Sequence, residues 1–244
     1  MSRDSIFALP QSRIGDFAFD QQVADVFPDM ISRSVPGYAS ILAMIEQLSA
    51  RFAVPGSNIY DLGCSLGAAS RLISPQVPRD CTIYAIDNSA AMIDKLLHLL
   101  EQQSVNPKGC QIIAKQADVR EVAMTNASFV VLNLTLQFVA LPDRPQLLQQ
   151  VYQSLVSGGA LLVSEKICFE DPYQQQLLTE LHHDFKRAHG YSELEIAQKR
   201  TSIENILVPE TLSTHCKRLR QVGFQQVAPW FQCFNFASIL AVKH

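Results

Sequence analysis

The chain has 244 residues, 48% of them hydrophobic and 18% charged, and a net charge of −3. That length fits one large α/β domain better than two ordinary ones, and the apolar content supports a substantial core and excludes extended disorder. The slightly acidic balance supplies no global basic field, which argues against direct nucleic-acid binding driven by overall electrostatics.

Met1-Ser2-Arg3-Asp4-Ser5-Ile6 lacks the apolar core of a signal peptide, and no stretch approaches the roughly 20 apolar residues of a membrane span. A cytoplasmic location without membrane association is therefore expected. Residues 1–20 show no clean periodicity. From Gln21 to about Arg33, Val23, Val26, Phe27, Met30 and Ile31 recur at helical spacing, with Pro28 expected to bend or break the helix. Beyond the turn Ser34-Val35-Pro36-Gly37-Tyr38, Ile41, Leu42, Met44, Ile45 and Leu48 mark an amphipathic helix to about Phe52, so a helical extension over about 17–54 precedes the first strand.

Pro55-Gly56 launches that strand, Asn58 to Leu62. In Ile59-Tyr60-Asp61-Leu62-Gly63-Cys64-Ser65-Leu66-Gly67 an apolar run meets an acid and two glycines four apart, then the helix-compatible Ala68-Ala69-Ser70-Arg71-Leu72-Ile73. A buried strand ending in a tight turn that opens a helix has this pattern, and a ligand can approach backbone N–H groups there without meeting a Cβ. A dinucleotide site wants G-x-G-x-x-G, but Ser65 stands where its middle glycine would be. The D-x-G-x-x-x-G spacing resembles instead the first motif of class I S-adenosylmethionine (SAM) dependent methyltransferases, with Asp61 placed to receive a ligand's ammonium.

The second strand is expected over Cys81 to Ile86, ending in Asp87-Asn88, 26 residues after Asp61. One strand-helix-strand unit separates the two acids, which puts both at carboxyl ends of neighbouring parallel strands. A carboxylate there can accept both hydroxyls of a ribose, although it can equally cap the helix from Ala90 to Leu100. The third strand, Gln111 to Lys115, leads to Asp118, which is either an adenine contact or a solvated loop acid. The fourth, Phe129 to Leu134, is a continuous apolar run of a sheet covered on both faces, and Asn133 near its end needs hydrogen-bond partners. A helix from Pro145 to Leu155 is expected to end at a Ser157-Gly158-Gly159 cap before a fifth strand, Ala160 to Lys166.

Residues 170–220 read as a polar helical insertion, a candidate lid or dimer surface. The neighbours His182, His183 and Asp184 are poorly placed as metal ligands, because successive positions on a helix point about 100° apart. Val222 to Val227 and Cys233 to Val242 form an antiparallel pair. The whole predicts a single SAM-binding α/β domain over 1–244 with the Rossmann-like class I methyltransferase fold, a seven-stranded, mostly parallel sheet with helices on both faces. Cys64, Cys81, Cys110, Cys168, Cys216 and Cys233 are scattered without a C-x-x-C pair, so no metal site or disulfide framework is expected.

Five blocks carry a closer likeness: 26–38 (VFPDMISRSVPGY), 60–69 (YDLGCSLGAA), 85–89 (AIDNS), 182–188 (HHDFKRA) and 230–236 (WFQCFNF). Together they resemble the carboxy-S-adenosylmethionine synthases over nearly the entire chain. The first and fourth are not general methyltransferase features. What the resemblance implies is a homodimer that takes SAM and prephenate and leaves phenylpyruvate and bound carboxy-SAM. A separate tRNA uridine carboxymethyltransferase then uses the carboxy-SAM at the wobble uridine. By position, Tyr38, Gly63, Cys64, Ser65, Asp87, Asn88, Asp118, Val119, Asn133 and Arg200 match the family's ligand-contacting residues. For Arg200 the physical case is that a new carboxylate needs a cation and arginine's fork binds it bidentately, the other reading being a solvated helix face. No catalytic side chain announces itself, and Glu165 and His183 are outside candidates for a general base. An ordinary methyltransferase, motivated also by the basic cluster Lys217-Arg218-Leu219-Arg220, and a noncatalytic SAM-binding partner of a tRNA-modifying complex remain the alternatives.

Overall fold

A computed structural model describes residues 2–103 and 109–244; Met1, part of the sequence read for a leader, lies outside them. The strands are β1 Asn58–Leu62, β2 Thr82–Asp87, β3 Gln111–Gln116, β4 Ala127–Asn133, β5 Leu155–Cys168, β6 Glu210–Thr211, β7 Gln226–Cys233 and β8 Phe236–Val242. They run in the order β3-β2-β1-β4-β5-β8-β7, with the two-residue β6 paired to β5 alone. β1 to β5 pair in parallel and β8 lies antiparallel between β5 and β7. The strand order reverses between β1 and β4, so their carboxyl ends open onto the crevice where ligands of doubly wound sheets bind.

The core explains why β4 is apolar from Phe129 to Leu132. Phe129, Val130, Val131 and Leu132 are fully buried, with side chains alternating between two helical layers. On one face they meet α2 (Tyr38–Phe52) and α3 (Ala68–Ile73) through Ile41, Ile45 and Ile73; on the other, α5 (Arg144–Ser154) and α8 (Leu212–Gln221) through Leu147, Leu148, Val151 and Leu219. α4 (Ala90–Gln103) covers β2 and β3 with Ile93 and Leu96. α6 (Pro172–Ala188) and α7 (Glu193–Ile203) stand outside this alternation together with α1 (Gln21–Ser34). α8 belongs to the regular sheet packing, so the helical excursion ends at α7, before the expected boundary near 220.

Three expectations need correction. α1 runs unbroken through Pro28, because Asp20 caps its start and its buried Val23, Ala24 and Met30 hold it on the apolar cluster, which outweighs one missing backbone bond. Gly158 and Gly159 do not cap α5, which ends when the Leu155 N–H bonds to the Val151 carbonyl; they lie inside β5. There the Gly158 N–H donates to the Lys243 carbonyl at 2.7 Å, and a Cβ on Gly159 would stand about 3.0 Å from the Val156 oxygen. The closing segment is not one strand from Cys233, since the chain reverses at Phe234, whose φ is +50, before β8 begins.

Below the carboxyl ends of β4 and β5 sits Arg144, fully buried. Its Nε donates to the Val139 carbonyl at 2.9 Å, Nη2 to the Val208 and Gln137 carbonyls at 2.8 and 3.1 Å, and Nη1 to Glu210 at 2.5 Å, while Arg218 holds Glu210 from the other side. This knot ties β6 and the turn after β4 to the sheet. Removing one partner of a buried pair strands the rest. Arg144→Met is therefore expected to cost about 3 kcal/mol of unfolding free energy, the low end for such a loss because Arg218 still neutralises Glu210; a denaturant midpoint equal to that of the parent would contradict it.

Candidate active site

The loop after β1 is locked by its neighbours. Gly63 and Cys64 both donate their N–H to the Ile86 carbonyl, at 2.8 and 2.9 Å. Gly63 has φ +78, and a Cβ there would collide with Thr135 of the turn after β4, so position 63 demands glycine twice over. Ser65 sits in the left-handed region at φ +48, and its N–H donates to Asp87 Oδ2 at 2.8 Å. Asp87 Oδ1 accepts the Ser89 N–H at 2.9 Å, while the cap of α4 comes from Ser89 Oγ, which accepts the Met92 N–H at 3.2 Å. Burial pushes the Asp87 carboxyl up despite these bonds.

Asp61, 2% exposed, accepts the Ser70 hydroxyl at 2.6 Å and the Ser70 N–H at 3.1 Å. Burial pushes its carboxyl up to about 6, against the pull of Ser70 and with a further push from Asp87. Tyr38 begins α2 close enough to feel that charge, and burial together with Asp61 raises its phenol. Asp118 caps a 3-10 turn over Val119–Glu121 and is held low by Arg120, whose Nη2 reaches it at 2.6 Å. Asn133 Oδ1, at the end of β4, is a buried acceptor without a donor among the described residues. The next residue, Leu134, is strained at φ +63.

Opposite this acidic rim stands a basic one. Lys166 follows the buried stretch of β5, His182, His183 and Lys186 come from α6, and Lys199 and Arg200 from α7. His182 Nε2 meets the Ser34 carbonyl at 2.8 Å, and burial drives its pKa down to about 2, so the ring is neutral. His183 is also lowered, by burial first and then by Lys186 and Arg200. Lys186 falls to about 7 through burial and the repulsion of Lys199 and Lys166. Lys199 Nζ bonds Ser34 Oγ at 3.2 Å, with Asp4 at 3.9 Å, and falls to about 8 because burial outweighs Asp4.

Both rims line one cavity of about 1120 Å³, large for one small ligand. Tyr38, Asp61, Gly63, Cys64, Ser65, Asp87, Asn88, Asp118, Val119, Asn133 and Arg200 all line it, as does His183. Glu165 does not. It is buried behind the wall, where its carboxylate accepts the Leu136 and Gln137 N–H groups at 2.9 and 2.8 Å, and burial raises it to about 8. The Lys217-Arg218-Leu219-Arg220 cluster is partly spent on the fold, since Arg218 pairs with Glu210 and Arg220 bonds the Val227 carbonyl. The orphaned Asn133 Oδ1 offers SAM an acceptor, whereas the space a Cβ would take at Gly63 and Gly67 is filled by Thr135 and Leu96, so these glycines serve packing and not a ligand's approach to the backbone.

Residues 59–159 match a family model described as a methyltransferase domain. Magnesium protoporphyrin IX methyltransferase from Synechocystis, solved with bound SAH, has a TM-score of 0.64 at 12% identity, covering 93% of this chain and 96% of its own. Human N-acetylserotonin methyltransferase in complex with SAM gives 0.60 at 20% identity, over 91% of this chain and 55% of that one. At such identities the likeness shows the fold, that of the class I methyltransferases. The sequence relatives are more specific. Carboxy-S-adenosyl-L-methionine synthase of Photobacterium profundum is 52% identical over 243 residues, 99% of this chain and 98% of that protein. The enzyme of the same name from Escherichia coli is 51% identical over 242 residues, 99% and 97% of the two chains. The chain belongs to the carboxy-S-adenosyl-L-methionine synthase family.

In this synthase-family chain the sequence reading named Arg200 and His183 on the basic rim but passed over Lys166, Lys186 and Lys199. One signal was available. His182 and Lys186 are four residues apart and His183 and Lys186 three, so all share one side of α6. The depressed lysines also set a pH dependence. A lysine with a folded value below its usual 10.5 binds its proton less well folded than unfolded, so stability rises with pH between the two values, from about 7 for Lys186 and about 8 for Lys199. The denaturant midpoint of the ligand-free protein, measured against that of Lys186→Met, is expected to climb between neutral and strongly alkaline pH; a constant gap would contradict the depressed Lys186.

Proposed function

We propose that the chain converts SAM and prephenate to carboxy-SAM, phenylpyruvate and water, the prephenate carboxyl passing to the methyl carbon while the ring hydroxyl leaves with the methyl proton. The carboxy-SAM would serve a separate tRNA uridine carboxymethyltransferase that modifies the wobble uridine. The observation that carries this reading is the pairing of an acidic and a basic rim across one cavity in a chain about half identical, end to end, to enzymes named carboxy-S-adenosyl-L-methionine synthase. A plain methyl donor site needs only the acidic rim. A reaction that consumes one carboxylate and leaves another on the sulfonium carbon needs both.

On this reading Asp87 takes the ribose hydroxyls, Asp118 the adenine amino group and Asp61 the ammonium of the amino acid end. Tyr38, Gly63, Cys64, Ser65, Asn88 and Val119 close around the ligand, and Asn133 accepts from it. SAM supplies a sulfonium-bound methyl whose hydrogens are weakly acidic and whose carbon receives the carboxyl group. Arg200, exposed at the mouth of its own chain's cavity, takes the new carboxylate, which would let the site hold carboxy-SAM in preference to SAM.

Neither of the two candidate bases named from the sequence suits the methyl group. Glu165 is tied to two backbone amides and lies outside the lining, and His183 is weakened by burial and by Lys186. The protein's contribution is to hold two ligands together in a dry site, the proton acceptor belonging to the second substrate. The same reading makes the protein a cytoplasmic homodimer that packs through the helical insertion, where Tyr173 and Leu177 lie one turn apart and exposed on α6.

Mass spectrometry of the small molecules present after incubation with SAM and prephenate tests the reaction. Carboxy-SAM is expected, with phenylpyruvate appearing in step; intact prephenate beside unmodified SAM would refute it, and methylation of an added acceptor would favour the ordinary methyltransferase. Asp87→Asn is expected to weaken SAM binding about tenfold, the scale of one charge-assisted hydrogen bond, in a titration where an unchanged affinity would remove Asp87 from the site.

A further inference from the structure

Of the cations lining the cavity, Lys199 has partners in Ser34 and Asp4, and neutral His182 is spent on the Ser34 carbonyl. Lys166 and Lys186 differ. Among the described residues neither ammonium forms an ion pair or hydrogen bond, although both are packed into the wall and repel one another. The carboxylates of the same cavity do not reach them. Asp25 is taken by Lys95, Asp61 by Ser70, Asp87 by the Ser65 and Ser89 amides, and Asp118 by Arg120.

Partly buried like charges without a counter-charge are costly to hold, and a fold keeps them where a ligand supplies the missing anion. Two ammonium groups from two different elements, β5 and α6, suit a compact molecule with two carboxylates better than a single one. Neither comes from the strand ends that would hold the nucleoside, so this charge is set apart from the nucleoside side of the cavity. Phe138 and Phe236, which also line the cavity, offer apolar surface to a carbon ring.

We propose that Lys166 and Lys186 form the subsite that binds the two carboxylates of the second substrate, with His183 as an N–H donor beside them. This rests on the reaction proposed above. It divides the labour on the basic rim: Arg200 serves the carboxylate that the product acquires, and the lysine pair serves those that the second substrate brings. Lys199 backs the pair through its field while staying tied to α1 and the amino-terminal segment.

The test uses full-length protein saturated with S-adenosylhomocysteine, which lacks the reacting methyl, so that prephenate can be titrated calorimetrically without turnover. Lys166→Met and Lys186→Met are each expected to weaken prephenate binding about tenfold while leaving the affinity for S-adenosylhomocysteine unchanged, which also reports that the variants are folded. Phenylpyruvate, with one carboxylate fewer, is expected to bind the parent more weakly and to lose less on substitution. If the parent converts SAM and prephenate to carboxy-SAM while both variants bind prephenate as the parent does, the subsite is overturned and the reaction stands. If the parent neither binds prephenate nor yields carboxy-SAM, both fall together.

Discussion

The cost of leaving a charge buried without a partner governs this molecule more than any other constraint. Several buried charges are answered from within the fold: Arg144 is matched by Glu210 and three carbonyls, Asp61 by Ser70, and Glu165 by two amide N–H groups. In the cavity this matching does not extend to every group. Among the described residues, Lys166 and Lys186 repel each other without an anion, and Asn133 keeps an acceptor without a donor. Arg144 shows that the same chain can satisfy a harder case.

The two rims are coupled through the turn after β4. Thr135 closes on Gly63 from above, Leu134 is held in a left-handed conformation by its N–H bond to the Ser164 carbonyl at 2.7 Å, and Gln137 accepts the Lys166 N–H at 2.8 Å while its own N–H goes to Glu165. One short segment therefore touches the glycine loop on one side and the base of the lysine wall on the other. Glu165 belongs to this brace. Its raised pKa reflects burial behind the wall, and a perturbed titration in a structural carboxylate is a reminder that such shifts mark catalysis only when the group also faces the cavity.

The acidic half of the site was legible in the sequence because strand ends fix it. Once β1 and β2 are recognised as one strand-helix-strand unit, Asp61 and Asp87 have little freedom, and a polar residue at the end of an apolar strand, Asn133, marks itself. The same logic failed at Gly158 and Gly159, where glycines that read as a helix cap serve a close backbone approach inside β5. Pro28 misled for a different reason: local propensity counts a lost bond but not the apolar cluster that the helix is held against. The basic half was mostly hidden. Lys186 and Arg187 are neighbours in a polar helix, yet Arg187 turns outward to Asp184 and Glu193 while Lys186 turns into the cavity, and only packing separates them.

That asymmetry says something about how one fold serves two chemistries. The acids at β1, β2 and β3 follow from the topology that this chain shares with methyltransferases of below 25% identity. On the basic rim Lys186, Lys199 and Arg200 come from α6 and α7, the helices that stand outside the sheet's regular alternation, and Lys166 from β5. On the proposed assignment, a nucleoside site could be kept while another wall of the cavity is rewritten by an excursion that the sheet does not constrain. If the ends of β1 to β3 hold the nucleoside as proposed, the charge of a relative's second substrate should be matched by that excursion together with the end of β5.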